Sequence, residues 1–232
     1  MRSIGGSSHR VTDSLSPVNF LNKVYLYMSL GLLLTAVVAY YFHIHAAITE
    51  AIFRSPSSFF GVIILHLVVS LWCGRSLGRA NPTTSFLLFF LYSALSGFTF
   101  GVVTLLYPAA DVGFAFAVTA GSFFGLSLIG YTTKKDLSPV ASFCIMGLWG
   151  LIIASLLSFF LPSLQTESMN LVYGALGVIV FAGLTAYNTQ KIKNMAMSGD
   201  TQENHAINGA FSLYLDFVNL FFSILRLVGS RR

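Results

Sequence analysis

Charge is scarce in this chain. Charged residues make up 9% of its 232 positions, against about 25% in a soluble globular domain. That shortage argues against a water-soluble fold. Cysteine is rarer still: Cys73 and Cys144 are the only two, and both fall in apolar stretches. Neither belongs to a C-x-x-C pair, so they say nothing of the redox compartment. No H-E-x-x-H, G-x-S-x-G or G-x-x-x-x-G-K-[ST] occurs, so no known catalytic motif marks the chain as an enzyme. Every lysine sits in a loop or the N-terminal flank, which leaves no Ser-Lys pair at membrane depth. A removable signal peptide is also missing. The first apolar run, 24–43, is too long for a signal core and has no A-x-A site, so it reads as a retained signal anchor.

What is abundant is apolar sequence. Hydrophobic residues reach 55%, and mean hydropathy is +0.76. Stretches long enough to cross ~30 Å of hydrocarbon recur, at 24–43, 51–73, 85–107, 112–131, 139–162, 168–187 and 206–225. This predicts an all-α integral membrane protein with a polar tail over 1–23, one transmembrane domain over 24–228 and a basic end over 229–232. Lysine and arginine alternate between loops. Arg2, Arg10 and Lys23 precede the first span, and the first loop holds Arg54 alone. Arg75 and Arg79 lie in the second loop, Lys134 and Lys135 in the fourth, Lys191 and Lys193 in the sixth, and none in the third or fifth. The positive-inside rule then puts the N-terminus in the cytoplasm. The net charge of +5 is thus a record of topology rather than of a nucleic-acid partner. Arg226, Arg231 and Arg232 break the alternation if the seventh segment crosses fully. That segment is either re-entrant or a central helix whose end tolerates misplaced charge, and a polar stripe within it favours the central position.

The stripe centres on Asp216, the lone charge within 206–225. A carboxylate at mid-membrane costs about 2.5–3.5 kcal/mol on insertion scales. Asn208, Ser212, Asp216, Asn219 and Ser223 recur at helical spacing, so they share one face. Phe211, Leu213, Leu215, Phe217, Leu220 and Leu225 take the others. The functional reading is a wet inner face with Asp216 as its ionisable group; the alternative is a structural carboxylate bonded to neighbouring helices. Small-xxx-small patterns at Gly97–Gly101 and Gly121–Gly125 suggest close helix approaches. His43 and His45 at an interface, with Glu50, lack an assured third metal ligand, and no metal site is predicted.

Four phrases together resemble one family: Gly130-Tyr-Thr-Thr-Lys-Lys-Asp-Leu-Ser138, Phe143-Cys-Ile-Met-Gly-Leu148, Phe181-Ala-Gly-Leu-Thr-Ala-Tyr-Asn-Thr-Gln-Lys-Ile-Lys193 and Leu213-Tyr-Leu-Asp-Phe-Val-Asn-Leu-Phe221. The chain is similar, from about residue 20 onward, to the bacterial form of the Bax inhibitor-1 family. The resemblance implies a seven-helix bundle with six helices around the seventh. It also implies a multi-pass protein of the bacterial inner membrane and a pH-sensitive leak for cations, mainly calcium. In that family two aspartates on the sixth and seventh helices share a proton, and an arginine on the second helix pairs with them to close the pore.

The second aspartate of that pair corresponds to Asp216. The first falls at Asn188, where this chain reads Tyr187-Asn-Thr-Gln190 and the family usually reads Tyr-Asp-Thr-Gln. Two close carboxylates repel and share a proton; Asn188 hydrogen-bonds but cannot titrate. Arg75 and Arg79 are both candidates for the gating arginine. His66, inside the second span, is either a histidine satisfied by a backbone carbonyl or a pH-responsive partner. Intramembrane aspartyl proteolysis needs a second acid at depth, which Asn188 removes. Two functions remain: a proton-modulated leak for Ca²⁺ or other cations, or a non-transporting protein that restrains other membrane proteins such as a protease or cell-death machinery. Neither needs a cofactor.

Overall fold

The computed structural model describes residues 15–47, 49, 56–77, 80–161 and 166–229. They form seven helices: α1 Pro17–Ile44, α2 Pro56–Ser76, α3 Pro82–Leu106, α4 Ala109–Thr132, α5 Ser138–Phe160, α6 Glu167–Ser198 and α7 Glu203–Val228. No strand occurs among the described residues. All but α2 are long and apolar enough over their described residues to cross a membrane.

Local chemistry sets the helix ends. Ser16, Asn81 and Thr166 each accept a hydrogen bond from the backbone N–H three residues on, at 3.4, 2.8 and 3.2 Å. Prolines follow the caps of α1 and α3, where the missing N–H has no intrahelical partner to lose. Gly199 ends α6 at φ 81°, a left-handed conformation that glycine adopts without steric cost. Two helices overrun the apolar stretches that announce them. α1 begins inside the stretch read as tail, and α6 continues past 187, so Lys191 and Lys193 ride on its last turns rather than in a loop.

α7 is the most buried of the six apolar helices. It packs against α1, α3, α4 and α6, while α2 leans mainly on α3, and α5 on α6. The core on its α1–α3 side is aromatic. Phe89 and Tyr92 of α3 meet Phe211 and Tyr214 of α7 edge-on at centroid separations of 5.2–6.1 Å. At its start, α7 lies beside the start of α1. Leu15 N–H donates to Thr201 O at 3.2 Å, Thr201 Oγ1 returns a bond to Leu15 O at 2.7 Å, and Lys23 and Tyr27 bond Glu203. At its far end, a Cβ on Gly229 would meet the Tyr107 ring at 2.7 Å, beyond the C-terminus of α3. With 26 residues, α7 is about 39 Å long at 1.5 Å per residue. It therefore runs the length of the bundle, and the re-entrant alternative fails. Arg226 sits at that far end, opposite Lys23, Arg75, Lys134, Lys135, Lys191 and Lys193.

One expectation about small residues needs correction. A Cβ on Gly97 would come within 2.6 Å of Val38 Cβ, and one on Gly101 within 2.7 Å of Phe42 Cβ, so that pattern does seat α3 on α1. Gly121 and Gly125 meet nothing within 4 Å. Nearby on the same helix, Phe124 and Leu128 point outward, 72% and 53% exposed. The pattern reports spacing along a helix, not which face has a neighbour. The tightest approach is elsewhere, where a Cβ on Gly130 would stand 2.2 Å from the carbonyl oxygen of Ala186.

Candidate functional site

Three of the four sequence phrases meet around α6. Gly130 abuts the backbone of Ala186. Gln190 then stitches α6 to the α4–α5 turn: Leu137 N–H donates to Gln190 Oε1 at 3.0 Å, and Gln190 Nε2 donates to Lys135 O at 2.8 Å. The turn is held on its other side by Asp136, which accepts from Ser138 N–H and Ser138 Oγ at 2.9 and 2.7 Å. Those bonds hold its carboxyl below the usual carboxylate range. Lys193 caps the end of α4 by donating to Tyr131 O at 2.7 Å. The turn is thus clamped at several points, and this fixes how α6 presents its next polar residue.

That residue is Asn188. Its Nδ2 donates to Asp216 Oδ2 at 2.7 Å, so α6 and α7 are joined at mid-bundle by an amide and a carboxylate. Asp216 is only 4% exposed and lies about 20 Å along α7 from Glu203 by helical rise. No ion pair joins Asp216 to a cation among the described residues. The Cys144 thiol of α5 is buried against Gly183 of α6. Phe217, the next residue, packs edge-on against Phe116 and Phe123 of α4 at 5.7 and 5.5 Å. Asp216 is therefore a buried acid with no cation partner and one polar donor, Asn188, among the described residues.

The remaining stripe behaves differently. Ser212 Oγ, Asn219 Nδ2 and Ser223 Oγ each donate to the carbonyl four residues back on α7, at 3.1, 2.7 and 2.7 Å. These bonds stay on their own helix and tie α7 to no neighbour. Asn208, Ser212 and Asn219 are nevertheless half-buried, whereas Leu213, Leu220 and Leu225 are buried. The polar face is the more open side of the central helix. Ser223 instead packs close to Gly177 of α6.

The other candidates lie apart from Asp216. Arg75 is exposed in the last turn of α2 and forms no ion pair with Asp216. Arg79 lies outside the described residues. His66 bonds the Tyr92 hydroxyl through Nε2 at 2.8 Å, a side-chain partner in place of the expected backbone carbonyl. His43 bonds Thr104 Oγ1 at 3.1 Å and His45 bonds Tyr41 O at 2.9 Å; Glu50 is outside the described residues.

The profile of the family described as "Inhibitor of apoptosis-promoting Bax1" matches residues 18–232. The chain belongs to the Bax inhibitor-1 family. It is 42% identical over 218 residues to inner membrane protein YbhL of Escherichia coli, with 92% of each chain covered. An uncharacterized protein of Borreliella burgdorferi is 41% identical over 92% of both chains. RP147 of Rickettsia prowazekii is 38% identical over 92% of this chain and 90% of its own. This Bax inhibitor-1 family member is a multi-pass membrane protein. Its Asn188 stands where the family resemblance leads one to expect an aspartate, and here it donates to Asp216 and carries no charge. Two participants escaped sequence reasoning. Gln190 lies inside a quoted phrase but carries no sign of its double bond to the α4–α5 turn. Tyr92, the partner of His66, is one aromatic among many in an apolar span.

Proposed function

We propose that this protein is a proton-modulated leak for cations, Ca²⁺ foremost, in the bacterial inner membrane, with the N-terminus in the cytoplasm. The observation that carries the reading is Asp216: buried at mid-helix, bonded by Asn188 and paired with no cation among the described residues. A lone carboxylate at that depth is costly and is retained where it serves an ion or proton pathway. Its oxygens, with the amide oxygen of Asn188, are the hard donors a calcium ion prefers. The half-open polar face of α7 supports a route along the helix. No covalent chemistry is needed, and no enzyme activity is proposed.

Asn188 favours a second reading, since one acid of the family's pair is missing. Without a shared proton, the chain serves as a membrane partner that restrains other membrane proteins. Ca²⁺ flux into proteoliposomes separates the two. Asp216→Asn keeps the shape and hydrogen bonding while removing the charge, so flux should drop strongly in a protein that remains folded. Unaltered flux in the purified variant overturns the leak and leaves the interaction protein.

A further inference from the structure

A seam separates α1 from α4. Both helices pack on α7 but hardly on each other. Between them the surface dips into a groove of about 420 Å³, lined by Tyr25 of α1 and by Phe123, Phe124, Ser127, Leu128 and Tyr131 of α4. That is the size of a pocket for a small-molecule-sized ligand. Apart from Ser127 and the tyrosine hydroxyls, the wall is hydrocarbon. Ser127 Oγ accepts from Thr189 Oγ1 of α6 at 3.4 Å, and Phe123 packs edge-on against Phe217 of α7. Residues that line the groove thus touch the chain neighbours of both Asn188 and Asp216.

The surroundings say what fills it. Phe124 and Leu128 of its wall point outward, and at the depth of an apolar span the surrounding solvent is acyl chain. One end of the groove reaches the membrane surface. Tyr25 and Tyr131 stand at the ends of the apolar stretches 24–43 and 112–131, the level at which tyrosine rings sit among headgroups. The charge there is positive. Lys193 of α6 places Nζ 5.5 Å from the centre of the Tyr131 ring and donates to Tyr131 O at 2.7 Å. An ammonium carries three N–H donors, so two are left for a further acceptor. Lys193 forms no ion pair among the described residues, whereas Lys23, the lysine of α1, is paired with Glu203.

We propose that the α1–α4 groove is a binding site for an anionic phospholipid, with one acyl chain against Phe123, Ser127 and Leu128 and the headgroup phosphate on Lys193. The bound chain then lies one residue removed, on both α6 and α7, from the Asn188–Asp216 bond. A zwitterionic lipid fills the same groove through its chain but gains less from Lys193, because its headgroup carries no net charge. The site therefore selects by headgroup, and this selection holds whether or not the protein conducts ions.

The test is quenching of tryptophan fluorescence by lipids with brominated chains. Trp72→Phe and Trp149→Phe remove the two native tryptophans, and Phe124→Trp places a reporter on the groove wall. Met146→Trp on α5 is the control. Phe124 and Met146 are both eight residues from the lysine-bearing ends of their helices, at Thr132 and Ser138, and both are exposed. Each protein is reconstituted in phosphatidylcholine vesicles with a rising share of brominated phosphatidylglycerol, and in the reverse mixture. At residue 124, phosphatidylglycerol should be preferred about fivefold over its preference at residue 146, the worth of one lysine near an anionic headgroup. Lys193→Gln should bring the preference down to the control, and Lys193→Arg should keep it. If Phe124→Trp does not fold, Leu128→Trp reads the same wall. Equal preference at 124 and 146 overturns the site. A preference that survives Lys193→Gln overturns the role of Lys193. Failure of either lipid to quench at 124 means that protein, such as a second copy of the chain, covers the groove, and overturns the lipid as its occupant.

Discussion

Asn188 Nδ2 donates to Asp216 Oδ2 at 2.7 Å, and this single bond ties α6 to the central helix at mid-bundle. An amide donates to a carboxylate without needing a shared proton. Two carboxylates in the same positions meet only when a proton lies between them. The bond in this chain therefore does not itself depend on protonation of position 188. Position 188 thus supplies a hydrogen bond to Asp216 and no titrating group.

The contact that sets up this bond is the approach of Gly130 to Ala186. A Cβ at 130 would lie 2.2 Å from a backbone carbonyl oxygen and 3.1 Å from the Ala186 Cα, and backbone cannot rotate away as a side chain can. Gly130→Ala should force α4 and α6 apart and cost about 1–3 kcal/mol, the usual range for overpacking. Gly125→Ala, five residues earlier on the same helix with nothing within 4 Å, should be neutral. Thermal unfolding of both variants in detergent measures the contrast. Equal melting temperatures would show that the approach is not tight.

Much of this architecture is legible in the sequence because hydrocarbon thickness imposes it. Each apolar stretch is the length of a span, and α2 to α5 begin and end within a few residues of theirs. α1 and α6 differ because polar residues such as Lys23, Lys191 and Lys193 extend a helix into the interface, where hydropathy no longer reports it. Asp216 is legible because a lone acid in an apolar run is costly, and its contact with Asn188 because two motif phrases carry the pair. Contacts that depend on helix rotation are not legible. Spacing alone does not tell Gly97, pressed on α1, from Gly125, which meets nothing. Nor does it place Arg75 away from Asp216 in an exposed last turn, or set His66 on Tyr92.

Topology is open to a direct check. Lys134 and Val228 lie at opposite ends of the bundle, by the course of the helices. With the lysine-bearing end in the cytoplasm, Lys134→Cys should resist membrane-impermeant thiol reagents in intact cells and react after permeabilisation. Val228→Cys, 39% exposed in the native chain, should react in intact cells. Background should be low, because Cys73 and Cys144 are 0% and 2% exposed. Labelling of residue 134 from outside would reverse the orientation.

The missing acid offers the sharpest test of mechanism. Asn and Asp are nearly equal in volume, and a protonated carboxyl at 188 donates to Asp216 as the amide does now. Asn188→Asp should therefore fold with little loss and place two carboxyl groups within hydrogen-bond distance. Such a pair in a low-dielectric site holds one proton and releases it at a higher pH than a solvated acid. The variant's Ca²⁺ leak should switch steeply between about pH 6 and 8, where the wild type varies weakly or switches elsewhere. His66→Gln is the necessary companion, since histidine titrates in the same range. A wild-type response near neutrality that His66→Gln abolishes belongs to His66, while a steep response gained only with Asn188→Asp belongs to the rebuilt pair. Superimposable flux curves for the wild type and Asn188→Asp would mean that position 188 takes no part in proton sharing, even though it lies in direct contact with Asp216.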